Sequence, residues 1–164
     1  MTIKNKIMYI TAILAMDHSL LIGAKNALPW HIPEDMKRFR EFTTGGIVVM
    51  WKNTYLSLPE KVRPLPNRRN IVLTREVLEG VECYASIDDF LEAMSAEQID
   101  HCFLLWGATV YDQFFSQGLV DRVELTLVDG SHEGDIFVRE FRSEFQEMTS
   151  EDFDKWKFLT LIKK

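Results

Sequence analysis

Short apolar runs separated by polar segments recur along the chain, and they define the predicted elements. Three segments carry apolar residues at helical spacing, at residues 34–42, 87–94 and 108–115. Ser86 is a suitable N-cap for the second of these helices, and Gly118 is a natural stop after the third. The runs that instead predict buried strands are residues 7–16, 47–50, 70–74, 81–84, 102–106, 123–128 and 156–162.

The order of these elements predicts the fold class. Strands alternate with helices through much of the chain, which is typical of an α/β domain with a largely parallel sheet covered on both faces. The last third has strands without a clear helix between them, so we expect an antiparallel edge there. No repeat, low-complexity tract or linker divides the sequence. Residues 1–164 are therefore predicted to form a single domain.

Composition excludes several classes of protein. Hydrophobic residues make up 46% of the chain and charged residues 27%, which is typical of a globular protein and not of a disordered one. A formal net charge of −6 excludes a general binder of nucleic acid or of an anionic membrane. Cys83 and Cys102 fit no metal or redox spacing, so both are expected to be buried thiols in a reducing cytosol.

The N-terminal apolar run has two interpretations. Lys4 and Lys6 precede residues 7–16, a pattern that resembles a short signal peptide. The run is also rich in β-branched residues, which favours a buried first strand, and about ten residues are too few to span a bilayer. We predict the strand, and with it a cytoplasmic protein.

Residues 22–35, IGAKNALPWHIPED, form the first candidate functional segment. Gly23 and the prolines predict a loop at the carboxyl edge of the sheet, where open α/β sheets bind ligands. Leu28 and Trp30 on this loop could exclude water from a reacting ligand or could simply fill the core.

Asp35 follows this loop at the predicted start of a helix. An acid in the first turn stabilises the helix dipole and needs no function. Phe39 and Thr43, however, follow at one-turn spacing and share its face. A carboxylate among apolar rings can keep a raised pKa or pair with a cationic, amidine-like ligand edge.

The segment IGAKNALPWHIPEDMKRF resembles the active-site segment of dihydrofolate reductases. Similar motifs follow in family order and cover nearly the whole chain: VVMWKNTYLSL, RPLPNRRNIVLTR, SIDDFLEAM, LLWGATVYDQF, LTLVD and EGD. The resemblance implies an eight-stranded, mostly parallel mixed sheet with an antiparallel C-terminal edge, flanked by four helices. It also implies NADPH-dependent reduction of 7,8-dihydrofolate to tetrahydrofolate in one-carbon metabolism.

The resemblance assigns roles at the reacting end of the cleft. Asp35 would bind the 2-amino group and N3 of the pterin through two charge-assisted hydrogen bonds. It would also favour protonation at N5 before hydride reaches C6, with Thr126 supporting it. The other catalytic residues implied are Leu28 on a mobile loop, the ordered Trp30, and Tyr111 at the nicotinamide end.

Two sets of binding residues are implied by the same resemblance. Beside Asp35, the substrate set is Ile13, Met36, Phe39, Leu58, Leu65, Leu105 and Arg68, the last gripping the glutamate α-carboxylate. The cofactor set is Ala15, Ile22, Lys52, Asn53, Thr54, Leu73, Thr74, Arg75, Trp106, Gly107, Ala108, Thr109 and Val110.

The cofactor set favours NADPH over NADH. Lys52, Asn53 and Thr54 would open a helix whose free N–H groups receive phosphate. Lys52 and Arg75 supply the two cations that a 2′-phosphate would need. The expected partners are thus dihydrofolate, NADPH and antifolates, with no nucleic acid, membrane or metal, and the family's commonest state is a monomer.

Two tryptophans depart from the family pattern. Trp51 stands where the family has a glycine, and Trp106-Gly107 stands where it has a Gly-Gly pair joined by a cis peptide. Glycine at these positions permits close approach to the pyrophosphate and tolerates strained dihedral angles. Either the two indoles stack and block NADPH, or they rotate outward and leave a usable site.

The two tryptophans leave three interpretations of the function. The leading interpretation is the reductase. The alternative is a catalytically impaired homologue that binds folates or antifolates while Trp51 and Trp106 obstruct its dinucleotide site. A related nicotinamide-dependent reductase for another pterin-like or pyrimidine substrate is a weaker third interpretation.

Overall fold

A computed structural model describes residues 8–23, 29–105 and 107–164. The four helices are α1 (Pro33–Thr43), α2 (Lys52–Ser57), α3 (Ile87–Ala96) and α4 (Ala108–Ser116), with short 3₁₀ turns at Glu60–Val62 and Arg142–Glu144. The strands are β1 (Tyr9–Asp17), β2 (Leu21–Gly23), β3 (Ile47–Trp51), β4 (Arg69–Leu73), β5 (Glu82–Tyr84), β6 (His101–Leu105), β7 (Arg122–Val128), β8 (Ile136–Phe137), β9 (Phe145–Asp152) and β10 (Trp156–Lys163).

Eight of the strands form one mixed sheet in the order β5-β4-β3-β6-β1-β7-β10-β9. Neighbours are parallel from β5 to β7, and β10 runs antiparallel to both β7 and β9. Strands β2 and β8 make a separate antiparallel pair. The predicted fold class is confirmed, including the antiparallel C-terminal edge.

Apolar side chains pack on both faces of the sheet. The larger core cluster holds α3 and α4, where the rings of Phe90 and Phe114 lie 6.5 Å apart. The smaller cluster holds Phe39 of α1 and Tyr55 of α2. The strands between are buried on both sides, which is why their sequences read as continuous apolar runs.

Strands β2, β8 and β9 have no counterpart in the apolar pattern. The first two are only three and two residues long, too short for any periodicity. In β9, Phe145 is buried and the seven residues after it are exposed. Charged, exposed side chains are common on edge strands because they discourage pairing with another chain.

Helix ends follow the expected chemistry. The Ser86 hydroxyl accepts a hydrogen bond from the Asp89 N–H at 3.0 Å, and Gly118 follows α4 with a φ of +67°. Cys102 is buried as expected, but Cys83 on the edge strand β5 is only half-buried because it lacks a neighbouring strand on one side. None of the helices in the described ranges is long and apolar enough to cross a membrane.

Candidate active site

The start of α1 meets the middle of β7 through one hydrogen bond. The hydroxyl of Thr126 donates to Oδ1 of Asp35 at 2.5 Å. Thr126 is buried and pairs in register with Ala15 on β1 and Phe158 on β10. Because Thr126 is held in a central strand, its hydrogen bond fixes the position of the Asp35 carboxylate.

The environment of Asp35 changes its acidity. Burial raises the pKa of the Asp35 carboxyl above its usual value, while the hydrogen bond from Thr126 and the positive charge of Arg38 act in the opposite direction. The net pKa is raised. A carboxyl group with a raised pKa in a cleft is a candidate for proton chemistry near neutral pH.

A cavity of about 780 Å³ opens beside Met36, the residue that follows Asp35 in α1. Its volume falls within the range of roughly 300–1,000 Å³ typical of small-molecule sites. It brings together many of the residues predicted for the site from separate elements. Its lining includes Ile22, Met36, Trp51, Lys52, Asn53, Thr54, Leu58, Leu73, Thr74, Gly107, Ala108 and Thr109.

Several other predicted residues are not among those that line this cavity. The phenolic hydroxyl of Tyr111 donates to the carbonyl oxygen of Ile13 at 2.6 Å, which ties α4 to β1. Leu105 and Val110 are fully buried and pack in the core clusters.

The remaining predicted residues differ in exposure. Phe39, Leu65 and Ala15 are buried, whereas Arg75 is exposed. Leu28 and Trp106 lie outside the described residues, and the individual roles of all these residues stay predictions.

Arg68 is held against α1 by hydrogen bonds and a ring contact. Its Nε donates to the carbonyl oxygen of Pro66 at 2.9 Å, and its Nη1 donates to the hydroxyl of Thr43 at 3.1 Å. Its guanidinium carbon lies 5.8 Å from the centre of the Phe39 ring. Burial lowers the pKa of Arg68, but arginine stays charged in proteins. This pre-oriented cation suits a carboxylate ligand.

Trp30 contacts a buried acid through a histidine, an arrangement that sequence reasoning missed. The Trp30 and His132 rings meet edge-on at 5.4 Å, and the backbone N–H of His132 donates to Oδ2 of Asp17 at 2.7 Å. Asp17 is fully buried and also accepts from Ser19 and Leu21. Burial acts to raise the pKa of Asp17, but these hydrogen bonds outweigh it and lower the pKa. The sequence offered one clue to this arrangement, because Asp17 is an acid at the end of an apolar strand.

The part of the cavity next to α2 is the half predicted for the cofactor, and the two glycine positions of the family behave differently there. Trp51 has φ −76° and ψ 160°, an extended conformation that any residue adopts. Tryptophan is therefore accommodated at this position without backbone strain, and what it adds is side-chain bulk. Gly107 has φ +104°, and a Cβ there would lie 3.1 Å from the hydroxyl oxygen of Thr54. Position 107 therefore requires glycine, and this chain has glycine there.

Lys52, one of the two predicted phosphate-binding cations, already has an acidic partner. Its Nζ lies 2.5 Å from Oε2 of Glu76, and both side chains are substantially exposed. Arg75, next to Glu76, is exposed. The cofactor half thus offers solvated charges together with backbone groups.

A buried charge cluster also lies beside Asp35 and was missed from the sequence. Glu124 on β7 accepts hydrogen bonds from Arg38, Arg122 and Thr160. We call these four residues the Glu124 cluster.

The residues that the structure describes contain no candidate metal site. In the described ranges, no group of three or more His, Cys, Asp or Glu side chains could hold an ion.

Known proteins are similar to the chain along most of its length. The sequence model of the dihydrofolate reductase family matches residues 9–159. The dihydrofolate reductase of Staphylococcus aureus is 34% identical over 146 residues, which cover 87% of this chain and 86% of that protein. That of Neisseria gonorrhoeae is 41% identical over 134 residues, covering 80% and 79%.

A solved structure agrees with these sequence matches. The dihydrofolate reductase of Enterococcus faecalis, complexed with NADP(H) and RAB-propyl, superposes with a TM-score of 0.80 at 28% identity. The superposition covers 94% of this chain and 96% of that one. Both the fold and the sequence therefore place this chain in the dihydrofolate reductase family.

Proposed function

We propose that this chain catalyses the NADPH-dependent reduction of 7,8-dihydrofolate to 5,6,7,8-tetrahydrofolate. The observation that carries the proposal is Asp35, a half-buried carboxyl with a raised pKa, fixed by Thr126 beside a ligand-sized cavity. Membership of the family supports the same activity. The relative from Enterococcus faecalis is complexed with NADP(H), which supports the choice of cofactor.

The residues of the cofactor half fit a dinucleotide. Gly107 brings bare backbone close to Thr54, in a space that a Cβ would fill. Lys52, Asn53 and Thr54 begin α2 along the same cavity, where their N–H groups would hold phosphate. When bound, NADPH supplies the hydride that is added to C6 of the pterin.

Asp35 carries the proton chemistry of the proposed reaction. Its carboxylate holds the 2-amino group and N3 of the pterin by two hydrogen bonds, which fix the ring in the cleft. Because its pKa is raised, Asp35 also favours the protonated state of the bound pterin at N5. Ile22 and Met36 line the same cavity and exclude water from the ring.

The obstructed-site alternative receives no support from known relatives, which carry the name of the active enzyme. Trp51 lines the cavity of about 780 Å³ in an unstrained backbone conformation. We therefore propose that the chain is an active reductase despite Trp51 and Trp106.

Turnover and ligand binding test this proposal together. We expect dihydrofolate-dependent oxidation of NADPH, and we expect a 2,4-diaminopyrimidine antifolate to inhibit it and to raise the melting temperature. NADPH binding is followed by tryptophan fluorescence. Antifolate binding without NADPH binding or turnover would contradict the proposal and favour the obstructed-site alternative.

A double variant isolates the contribution of the tryptophans. In Trp51→Gly/Trp106→Gly, we expect NADPH to bind with an affinity close to that of the parent. A large gain in affinity, accompanied by a gain in turnover, would mean that the indoles obstruct the site.

We also propose that the protein is a cytoplasmic monomer that binds dihydrofolate and antifolates. The bound state of the relative with NADP(H) and RAB-propyl supports the ligand classes. Sedimentation equilibrium should give the mass of one chain, 19.1 kDa. A dimer at working concentration would contradict the monomer.

A further inference from the structure

Glu124 is an unusual acid because its side chain is completely buried in a central strand. Its Oε2 accepts hydrogen bonds from Nη2 of Arg38 at 2.6 Å and from the hydroxyl of Thr160 at 2.9 Å. Its Oε1 accepts from Nε of Arg122 at 2.6 Å. A buried carboxylate is costly unless it is paired and hydrogen-bonded in this way. The cluster therefore gives both carboxylate oxygens of Glu124 hydrogen-bond donors.

Two cross-links of similar geometry join α1 to β7. Glu124 and Thr126 are alternate residues of β7 and face the same side of the sheet. Asp35 and Arg38 are one turn apart on α1 and lie on one face of the helix. The Thr126–Asp35 hydrogen bond and the Arg38–Glu124 ion pair thus lie side by side. The second cross-link fixes a positive charge next to the acid held by the first.

The Arg38 guanidinium is shielded from solvent. Its side chain is 19% exposed, and its central carbon lies 4.3 Å from the centre of the Phe158 ring and 5.1 Å from that of Phe42. Charges in such surroundings are screened less than charges in water. The guanidinium therefore acts on Asp35 more strongly than a solvated cation on the same helix would.

We propose that Arg38 and Glu124 are positioning residues that set the protonation of Asp35 in the reductase reaction. Arg38 stabilises the carboxylate form of Asp35. Glu124 anchors Arg38 and, as a negative charge, partly opposes its effect. The catalytic consequence rests on the proposed function, whereas the effect on the protonation of Asp35 does not.

The charged groups around Arg38 come from three elements. Asp35 shares its helix, Glu124 and Arg122 come from β7, and Glu151 comes from β9. β10, which lies between β7 and β9, contributes the neutral Thr160 and Phe158. Arg122 and Glu151 are more exposed than Glu124, so solvent screens them more strongly. Arg38 and Glu124 are thus the principal pair.

A purely structural ion pair and a pair that tunes Asp35 make different predictions. Loss of either partner of a structural pair destabilises the fold and leaves the titration of Asp35 in place. If the pair tunes Asp35, loss of the Arg38 charge raises the pKa of Asp35 because a stabilising cation is gone. Loss of the Glu124 charge lowers the pKa of Asp35 because a like charge is gone. Shifts of opposite sign identify the tuning role.

The test compares Arg38→Met and Glu124→Gln with the parent and with the control Lys37→Gln. Lys37 is a cation on the same helix, but its side chain is 73% exposed and is paired with Glu41 at 3.8 Å. The pKa of Asp35 is measured by ¹³C NMR of the labelled carboxyl groups in the ligand-free protein, with Asp35→Asn identifying its resonance. The pH profile of turnover is measured in parallel.

We expect the pKa of Asp35 to rise in Arg38→Met, to fall in Glu124→Gln, and to move less than either in Lys37→Gln. The high-pH limit of turnover should move in the same directions. Shifts of the same sign in both variants, or no larger than in the control, would overturn the proposal.

A second variant covers the case in which Glu124→Gln does not fold. Arg38→Met/Glu124→Leu removes the pair together, a change that buried ion pairs often tolerate when apolar groups replace them. We expect the pKa of Asp35 in this double variant to lie below that in Arg38→Met. An equal or higher value would overturn the role of Glu124. Absence of turnover in the parent would contradict the proposed function, while the NMR titration would still decide this inference.

Discussion

The proposed substrate half of the cleft, around Asp35, and the proposed cofactor half, around Lys52 and Gly107, are built on different principles. On the substrate half, polar side chains are buried and bound to one another, as in Thr126–Asp35 and Arg38–Glu124. On the cofactor half, the charges are exposed, and Lys52 is paired with the exposed Glu76. Electrostatic effects should therefore be large and weakly screened on the first half and small and salt-dependent on the second. The second half depends instead on backbone shape at Gly107.

The largest expected effect is that of Asp35→Asn on the substrate half. Asparagine can still accept the hydrogen bond from Thr126, but it cannot carry the negative charge or the proton. We expect turnover at neutral pH to fall about 100-fold or more, the range typical for loss of a general acid or base. Steady-state NADPH oxidation measures the fall, and near-normal turnover would remove Asp35 from the proposed mechanism.

The same variant should gain stability at neutral pH. The pKa of Asp35 is raised in the folded protein, so the ionised form disfavours folding. The contribution of Asp35 is therefore most favourable at low pH and is lost as the pH rises through its folded-state pKa. We expect Asp35→Asn to melt at a higher temperature than the parent at pH 7, with the difference vanishing in acid. A variant less stable at pH 7 would contradict the effect of burial on the acid.

Gly107→Ala is the corresponding test of the cofactor half. Alanine at φ +104° is strained, and its Cβ would crowd the Thr54 hydroxyl at 3.1 Å. We expect the free energy of unfolding to fall by about 1–3 kcal/mol, and NADPH affinity to fall because α4 must shift away from α2. Chemical denaturation and fluorescence titration measure the two effects.

Gly130→Ala provides the matched control for this change. Gly130 also has a positive φ, +81°, but an added Cβ would have no neighbour within 4 Å. It should lose stability through backbone strain and keep the NADPH affinity of the parent. Equal losses of NADPH affinity in the two variants would mean that the close approach of Gly107 to Thr54 does not shape the cofactor site.

The smallest expected effect comes from Glu76→Gln. This change frees Lys52 from its exposed partner, so a 2′-phosphate would gain a cation. Exposed ion pairs contribute up to about 1 kcal/mol, so we expect NADPH affinity to rise by no more than about fivefold. NADH affinity should stay constant, and Glu79→Gln, an exposed neighbour, serves as the control. An equal gain in NADH affinity would show that Lys52 does not bind the 2′-phosphate.

The apolar pattern predicted the central strands because they are buried on both faces. It missed β9 because only Phe145 in that strand is buried, which leaves no alternation to detect. The site was predicted through a resemblance that covered Asp35 and Thr126 together. The pair Arg38 and Glu124 was missed because 86 residues separate them, and spacing in the sequence does not reveal contacts at that distance. At Trp51, the sequence could not show that the backbone is extended and accommodates a side chain without strain.

The position of β10 between β7 and β9 gives the C-terminal hairpin a part in the site. β7 pairs with β1 on its other side, but Thr160 and Phe158, which complete the surroundings of Glu124 and Arg38, lie on β10. A chain that lacked β10 would keep Asp35 on α1 and Thr126 on β7 but would lose part of this electrostatic setting. On the proposed function, the C-terminal hairpin is therefore needed for turnover although it contributes no residue to the proposed binding sets.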